Sequence, residues 1–279
     1  MNLVTLSACC ADHYPQTNET YIGGNAFNQA LTWHAISKEE TIHLICCIGN
    51  DKNGQSIKAA MERSGFDLSH VSIADGMTAK NQLTVDKEGE RFGTEGSWIS
   101  GVSEFFAPTE KDWELIHQAD LISTCANNHN IFEIQKRKKE TQCLSIDFMD
   151  KENHIDMAPL LVGSDIAFIS ATPTDKSFYK EMAEQSGKLV VLTMGRHGSI
   201  AFYQGEEFFQ DAIKVRKVID TTGCGDTFQA AFAYYYLKSG KNIREALEQG
   251  ANWASLATFH HCDALVNSID DDPRIVFLL

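Results

Sequence analysis

The stretch "DTTGCGDTF", Asp220 to Phe228, sets carboxylates and two glycines at the entry to a helix-like run, "QAAFAYYYLKSG". Glycine lets successive backbone N–H groups converge on one point without steric cost. A helix N-terminus adds unmatched amides and partial positive charge at the same place. Gly223, Cys224 and Gly225 therefore read as an anion site suited to a phosphate. Asp226 at its rim would only repel that phosphate, unless it takes a proton from a hydroxyl attacking it. Phosphoryl transfer asks for this division of labour, a base for the nucleophile and N–H donors for charge growing on the oxygens. The same letters also suit an ordinary strand–turn–helix with Asp226 as its cap, and both readings stand on this stretch alone.

Two further stretches carry ligand-type chemistry. In "GGNAFNQA", Gly23 to Ala30, glycines permit close backbone approach, and Asn25 and Asn28 offer the donors and acceptors that sugar hydroxyls need. Their spacing puts both on one side of a helix start, although a glycine turn with Asn capping has the same pattern. Asp12, in "ADHYP", would add a carboxylate acceptor for a pair of hydroxyls, or is a plain loop residue. In "LTMGRHGS", Thr193, Gly195 and Gly198 would form a turn at a strand's end, where a nucleotide's phosphates and ribose pack on backbone.

These stretches need elements to position them. "LVTLSAC", "IHLICCIG", "DLISTC", "QCLSIDF", "SDIAFIS" and "LVVLTMG" are short apolar runs typical of buried strands. Between them, "NAFNQALTWHAIS", "NGQSIKAAMERSG", "EIQKRKKE" and "FYKEMAEQSG" have helical spacing or composition. The alternation predicts an α/β fold with a mostly parallel sheet, whose ligands bind at the carboxyl ends of the strands. The rhythm breaks at "NQLTVDKEGERFG", a hairpin turning at "KEG". Such a hairpin is either a lid over a site or an edge decoration.

At 279 residues with 43% hydrophobic content, the chain is long enough for one large domain or two small ones around a sizeable core. The net charge of -14 argues against non-specific binding to nucleic acid or an anionic membrane. It also means that a bound polyphosphate must be neutralised locally. The opening residues "MNLVTLSACCADHY" lack a basic leader and a long apolar run, so a cytoplasmic protein is expected, its eight cysteines reduced. No C-x-x-C or H-E-x-x-H supports a transition metal, and no G-x-G-x-x-G follows the first strand, which disfavours a dinucleotide-binding oxidoreductase. Cys224 as a nucleophile lacks a partner base nearby in sequence.

In order and spacing the three stretches resemble the PfkB, or ribokinase-like, family of carbohydrate kinases, and the likeness covers nearly the whole chain. "DTTGCGDTF" resembles the family's D-T-x-G-A-G-D-x-F signature, with Cys224 in the usual Ala place, and "GGNAFNQA" its N-terminal signature. The resemblance implies a ribokinase-like three-layer α/β/α domain over 1–279, with a small β lid from segments about 11–22 and 75–104. It implies Asp226 as the base, Gly223, Cys224 and Gly225 as the anion hole, and Asp12, Gly24, Asn25 and Asn28 around the sugar. Arg91 and Glu95 would reach the substrate from the lid. Thr193, Gly195, Gly198 and Asn252 would contact ATP, with Mg²⁺ arriving on its phosphates. Asp220 and Thr222 would help hold a monovalent cation, and lids would pair into a homodimer.

Two departures stand out. The N-x-x-E motif gives way to "ISATPTDKSF", where Asp175 would stand in for the Glu, and D-x-N-x-R survives only as "SIDFMDKEN". They motivate a second reading, a sugar or nucleotide sensor on the same scaffold. "GNDKNG", "DFMDK" and "SATPTD" further resemble members that phosphorylate the 6-hydroxyl of an Amadori sugar, a fructose bearing an amine at C1.

Overall fold

The computed structural model describes residues 1–93, 96–150 and 157–259. Thirteen strands form in chain order: β1 (Asn2–Leu6), β2 (Cys10–Tyr14), β3 (Glu19–Gly23), β4 (Thr41–Gly49), β5 (Val71–Ala74), β6 (Lys80–Val85), β7 (Arg91–Gly93), β8 (Leu121–Cys125), β9 (Cys143–Asp150), β10 (Ile166–Ser170), β11 (Leu189–Thr193), β12 (Ser199–Tyr203) and β13 (Glu206–Gln210). The helices are α1 (Asn25–Ile36), α2 (Lys52–Arg63), α3 (Glu110–Ile116), α4 (Ile131–Arg137), α5 (Met157–Gly163), α6 (Lys176–Ser186), α7 (Cys224–Lys238) and α8 (Ile243–Ala257). None of the described helices is long and apolar enough to cross a membrane.

Nine strands make one sheet in the order β13-β12-β11-β10-β9-β8-β1-β4-β5. It is parallel from β11 to β5, with β12 and β13 added antiparallel at one edge. Alternation explains why the central strands are apolar throughout. Leu121, Phe168 and Val191 point to the face covered by α1, α7 and α8, whereas Ile122, Ala167 and Val190 point to the face covered by α3 to α6. Both faces are dry, so no position along these strands has a solvent side. The result is the mostly parallel α/β sheet expected from the strand–helix alternation, in the α/β/α layering that the resemblance implies.

The expected strands are all present, but two elements are shorter than their sequence patterns. "LVTLSAC" leaves the sheet after Leu6, and "EIQKRKKE" yields a helix that starts at Ile131 and stops at Arg137, its basic tail unwound. A second, four-stranded sheet runs β3-β2-β6-β7. Its centre is a parallel pairing of Ala11, Asp12 and His13 with Lys80, Asn81 and Gln82, which joins the two segments flagged in the sequence. β6 and β7 form the expected hairpin, closed where the Asp86 amide donates to the Glu90 carbonyl at 3.0 Å.

Candidate active site

Two helices bring the glycine-rich stretches together. Gly24 caps the N-terminus of α1 and Gly223 that of α7. The helices lie side by side and run the same way: Gln29 Nε2 donates to Gln229 Oε1 at 3.2 Å, and Trp33 Nε1 to the Ala230 carbonyl at 2.9 Å. Both N-termini therefore meet at one spot. Each carries about half a positive charge from its unmatched amides, so their juxtaposition favours an anion there. This is the local neutralisation that a protein of net charge -14 needs before it can hold a polyphosphate.

Asp226 lies where the helices meet. Its Oδ1 accepts from Asn25 Nδ2 at 2.9 Å and its Oδ2 from Asn28 Nδ2 at 2.8 Å, so the side chain faces the other glycine-rich stretch instead of capping α7. The three residues sit 198 and 201 positions apart in sequence yet form one hydrogen-bonded unit. Asn25 Oδ1 is buried with no partner among the described residues. A buried amide oxygen left unmatched costs about 1–3 kcal/mol, and a donor such as a sugar hydroxyl would remove that cost.

A second carboxylate stands beside the first. Asn25 Nδ2 also reaches Asp147 Oδ2, at 3.3 Å, from the carboxyl-terminal part of β9. Burial, and then the charge of Asp226, push the Asp147 carboxyl up to about 6, against the pull of the Met149 amide, Gln229 and Arg91. Burial likewise raises the Asp226 carboxyl above the ordinary range, while Asn28, Asn25 and Arg91 hold it down. Desolvation, joined by like charge at Asp147 alone, thus outweighs the hydrogen bonds at both groups. A raised folded-state value favours folding below the unfolded value near 3.9, and that contribution fades as pH rises through about 6. Asp147→Asn should therefore gain stability over the parent as pH rises from 5 to 7.5, by about 1–1.5 kcal/mol. Urea unfolding at several pH values checks this, and a pH-independent difference contradicts it.

The amide nest differs in one respect from its expected form. Gly223 has φ 78 and its carbonyl accepts from Thr227 N–H, so α7 begins at Cys224 and not beyond Gly225. The Cys224 amide turns inward onto the Thr221 carbonyl at 3.1 Å. That bond occupies the Cys224 amide, whereas the amides of Gly223, Gly225 and Asp226 have no partner among the described residues. A methyl added at Gly225 would meet nothing within 4 Å, so there is room beside the helix end for a bulky anion. Burial, with the charges of Asp220 and Asp226, raises the Cys224 thiol far above its usual range, which keeps it protonated and a poor nucleophile.

Asp220, with no solvent exposure, accepts the Tyr14 hydroxyl at 2.6 Å and the Thr222 amide at 2.7 Å. Tyr14 also bonds Thr222 Oγ1 at 2.9 Å, so the residues expected at a cation site are tied by a phenol from the small sheet. The hairpin adds a second tie. Thr221 N–H donates to the Gly89 carbonyl and Arg91 N–H to Thr221 Oγ1, both at 3.1 Å. The guanidinium of Arg91 is close enough to hold down both Asp147 and Asp226. Glu95 lies outside the described residues.

The remaining expected residues occupy other positions. Asp12 is buried on β2, where the Cys10 thiol donates to its Oδ1 at 3.4 Å. Thr193 ends β11, and Gly195 and Gly198, with φ 54 and 83, shape the turn that follows. Glu90 Oε1 lies 3.9 Å from where a Gly195 Cβ would be, so this turn adjoins the hairpin tip. Asn252 is partly exposed on α8. Asp175 commits Oδ2 to the Thr172 amide and hydroxyl, a capping box at the entry to α6. Among the described residues no group of three or more His, Cys, Asp or Glu gathers at metal-binding distance. The seven described cysteines are free thiols.

Three residues at the site escaped the sequence reading: Asp147, Tyr14 and Thr221. Only Asp147 left a usable signal, a carboxylate at the carboxyl end of a central apolar run.

Residues 3–268 match the family described as pfkB family carbohydrate kinase. The chain is 30% identical over 264 residues to the fructoselysine 6-kinase of Escherichia coli K12, across 93% of this chain and 98% of that protein. It is 24% identical over 266 residues to a fructosamine kinase of Bacillus subtilis, across 91% of this chain and 90% of that one. Among solved structures, the ribokinase of Arabidopsis thaliana complexed with ribose and ATP matches with a TM-score of 0.76, at 23% identity over 96% of both chains.

Proposed function

The chain belongs to the pfkB family of carbohydrate kinases and has the ribokinase-like fold, and on that footing we propose that Asp226 is its catalytic base. The acceptor would be a primary hydroxyl of a small sugar, the 6-hydroxyl of a fructose bearing an amine at C1. The carrying observation is the Asp226 carboxylate held by Asn25 and Asn28 at the meeting of two helix N-termini. The similarity to kinases of fructoselysine and fructosamine supports the acceptor class.

In this mechanism the sugar hydroxyl sits against Asp226 and gives up its proton as its oxygen bonds the terminal phosphorus of ATP. The bond from that phosphorus to the bridging oxygen breaks, and ADP leaves. Gly223, Gly225 and the Asp226 amide would meet the charge on the transferring oxygens, and Arg91 would add a cation from the hairpin. The small sheet would act as a lid carrying Arg91 and Tyr14. The residue groups described do not build a magnesium cage, and Asp175 is committed to its capping box. Magnesium, which favours phosphate oxygens and water, would be held by ATP.

A panel of D-fructose, fructoselysine, D-ribose and nucleosides, assayed for ADP release, tests the proposal. Turnover of a fructose derivative is expected, with the product identified as the 6-phosphate by NMR. Ligand binding without ADP release from any member of the panel overturns it. The capped Asp175, in the region where the family's Glu is missing, would then favour the sensor reading.

A further inference from the structure

Next to the acceptor site lies a pocket of about 150 Å³ whose lining includes none of Asp226, Asn25, Asn28, Asp147 and Arg91. Its back wall is the connection from β1 to β2, Ser7 and Ala8, and its other walls are Trp98 to Phe106 and Asn127 to Asn130. It adjoins the sugar-binding stretch directly, because a Cβ on Gly24 would lie 2.5 Å from the Ala8 carbonyl. On the β8 side, Ser7 Oγ donates to Cys125 Sγ at 3.2 Å, and Cys125 feels the charges of both Asp147 and Asp226. The pocket therefore borders the acceptor site, and a substituent on a sugar held there could extend into it.

The walls are cross-braced before any ligand arrives. Asn128 Nδ2 donates to the Leu6 carbonyl and Asn130 Nδ2 to the Phe106 carbonyl, each at 2.9 Å. Trp98 Nε1 donates to Ser100 Oγ at 3.1 Å and leaves the indole 40% exposed at the rim. Pre-set walls lower the ordering cost of binding.

Charge selects the occupant. Glu104 is the one acidic side chain among the described lining residues, which include His129 but no Lys or Arg, and Glu104 has no hydrogen bond or ion pair with another described residue. A phosphate would meet Glu104 without a described Lys or Arg to offset it, and a neutral sugar would make no use of Glu104. A cation would find a carboxylate beside aromatic faces, which also attract it.

The geometry points to a subsite for the cationic amine substituent at C1 of the sugar, with Glu104 facing the ammonium and Trp98 and Phe106 flanking the alkyl chain. The assignment rests on the kinase reading above and extends it to the end of the substrate that is not phosphorylated.

Two readouts on the full chain test it. Calorimetric titration compares fructoselysine with D-fructose on the parent, Glu104→Gln and Glu104→Lys, and steady-state kinetics gives the ratio of kcat/KM for the two sugars. Fructoselysine should bind the parent more tightly than fructose. That preference should fall about tenfold in Glu104→Gln, the scale of one charge-assisted contact, and further in Glu104→Lys. Equal affinities in the parent, or a preference unchanged in both variants, overturn the subsite. Selective, Glu104-dependent binding without phosphate transfer would sustain the subsite and sink the kinase reading instead.

Discussion

Asp226→Asn should lower kcat by about 10²–10⁴, the range for removal of a general base, while ATP affinity stays within a few-fold. The exchange is nearly isosteric, so the packing between α1 and α7 is retained. What is lost is the ability to take a proton. An amide in place of the carboxylate also turns its own NH2 toward one of the donors Asn25 and Asn28, which disturbs one contact. Against that, a carboxyl already raised by burial no longer has to be ionised inside the site, so the net change in stability should be small. The pH profile is the second readout. In the parent, kcat/KM should fall on the acid side with an apparent value above the ordinary carboxylate range. Asp226 and Asp147 share Asn25 and feel each other's charge, so that limb belongs to the pair. In the variant the limb should shift, because only Asp147 of the pair is left to titrate. Turnover within tenfold of the parent would remove Asp226 from the chemistry.

Gly24→Ala should be the most damaging single change to the fold of the site. Gly24 has φ 99 and ψ 139, a backbone region that side chains other than glycine's enter only with strain. Its missing Cβ would lie 2.5 Å from the Ala8 carbonyl and 2.8 Å from both Cys10 N and Cys9 Cα. All three are backbone atoms, so no rotamer change relieves the clash. Strain and overpacking together should cost roughly 3 kcal/mol or more, by displacing either the β1–β2 connection or the start of α1. Gly225→Ala is the matched control, because its methyl meets nothing within 4 Å and the fold should tolerate it. Equal unfolding midpoints for Gly24→Ala and the parent would refute the steric account.

Much of this was legible because parallel strands buried on both faces leave continuous apolar runs, and "IHLICCIG" or "LVVLTMG" read directly as β4 and β11. Glycine-rich turns at helix starts were legible for a different reason, since few residue types tolerate those dihedrals. Pairings between distant segments were not. Nothing local in "CADHY" says that Asp12 lies beside Asn81, or that the Tyr14 hydroxyl reaches across 206 positions to Asp220. The hairpin β12–β13 turns on Gln204 and Gly205, both at positive φ, without the Asn-Gly or Asp-Gly that makes such turns conspicuous. The inward amide of Cys224 is equally invisible, because orientation of a backbone group depends on the preceding turn and not on the residue's type.

The bonds from Gly89 and Arg91 to Thr221, with those from Tyr14 to Asp220 and Thr222, strap the small sheet to the loop entering α7. A molecule that drew the sheet down would drag the phosphate end with it, and one that settled the loop would pull the sheet. Energetic linkage of this kind is symmetric. Whichever partner came first would have done part of the other's ordering, so the two affinities would rise and fall together.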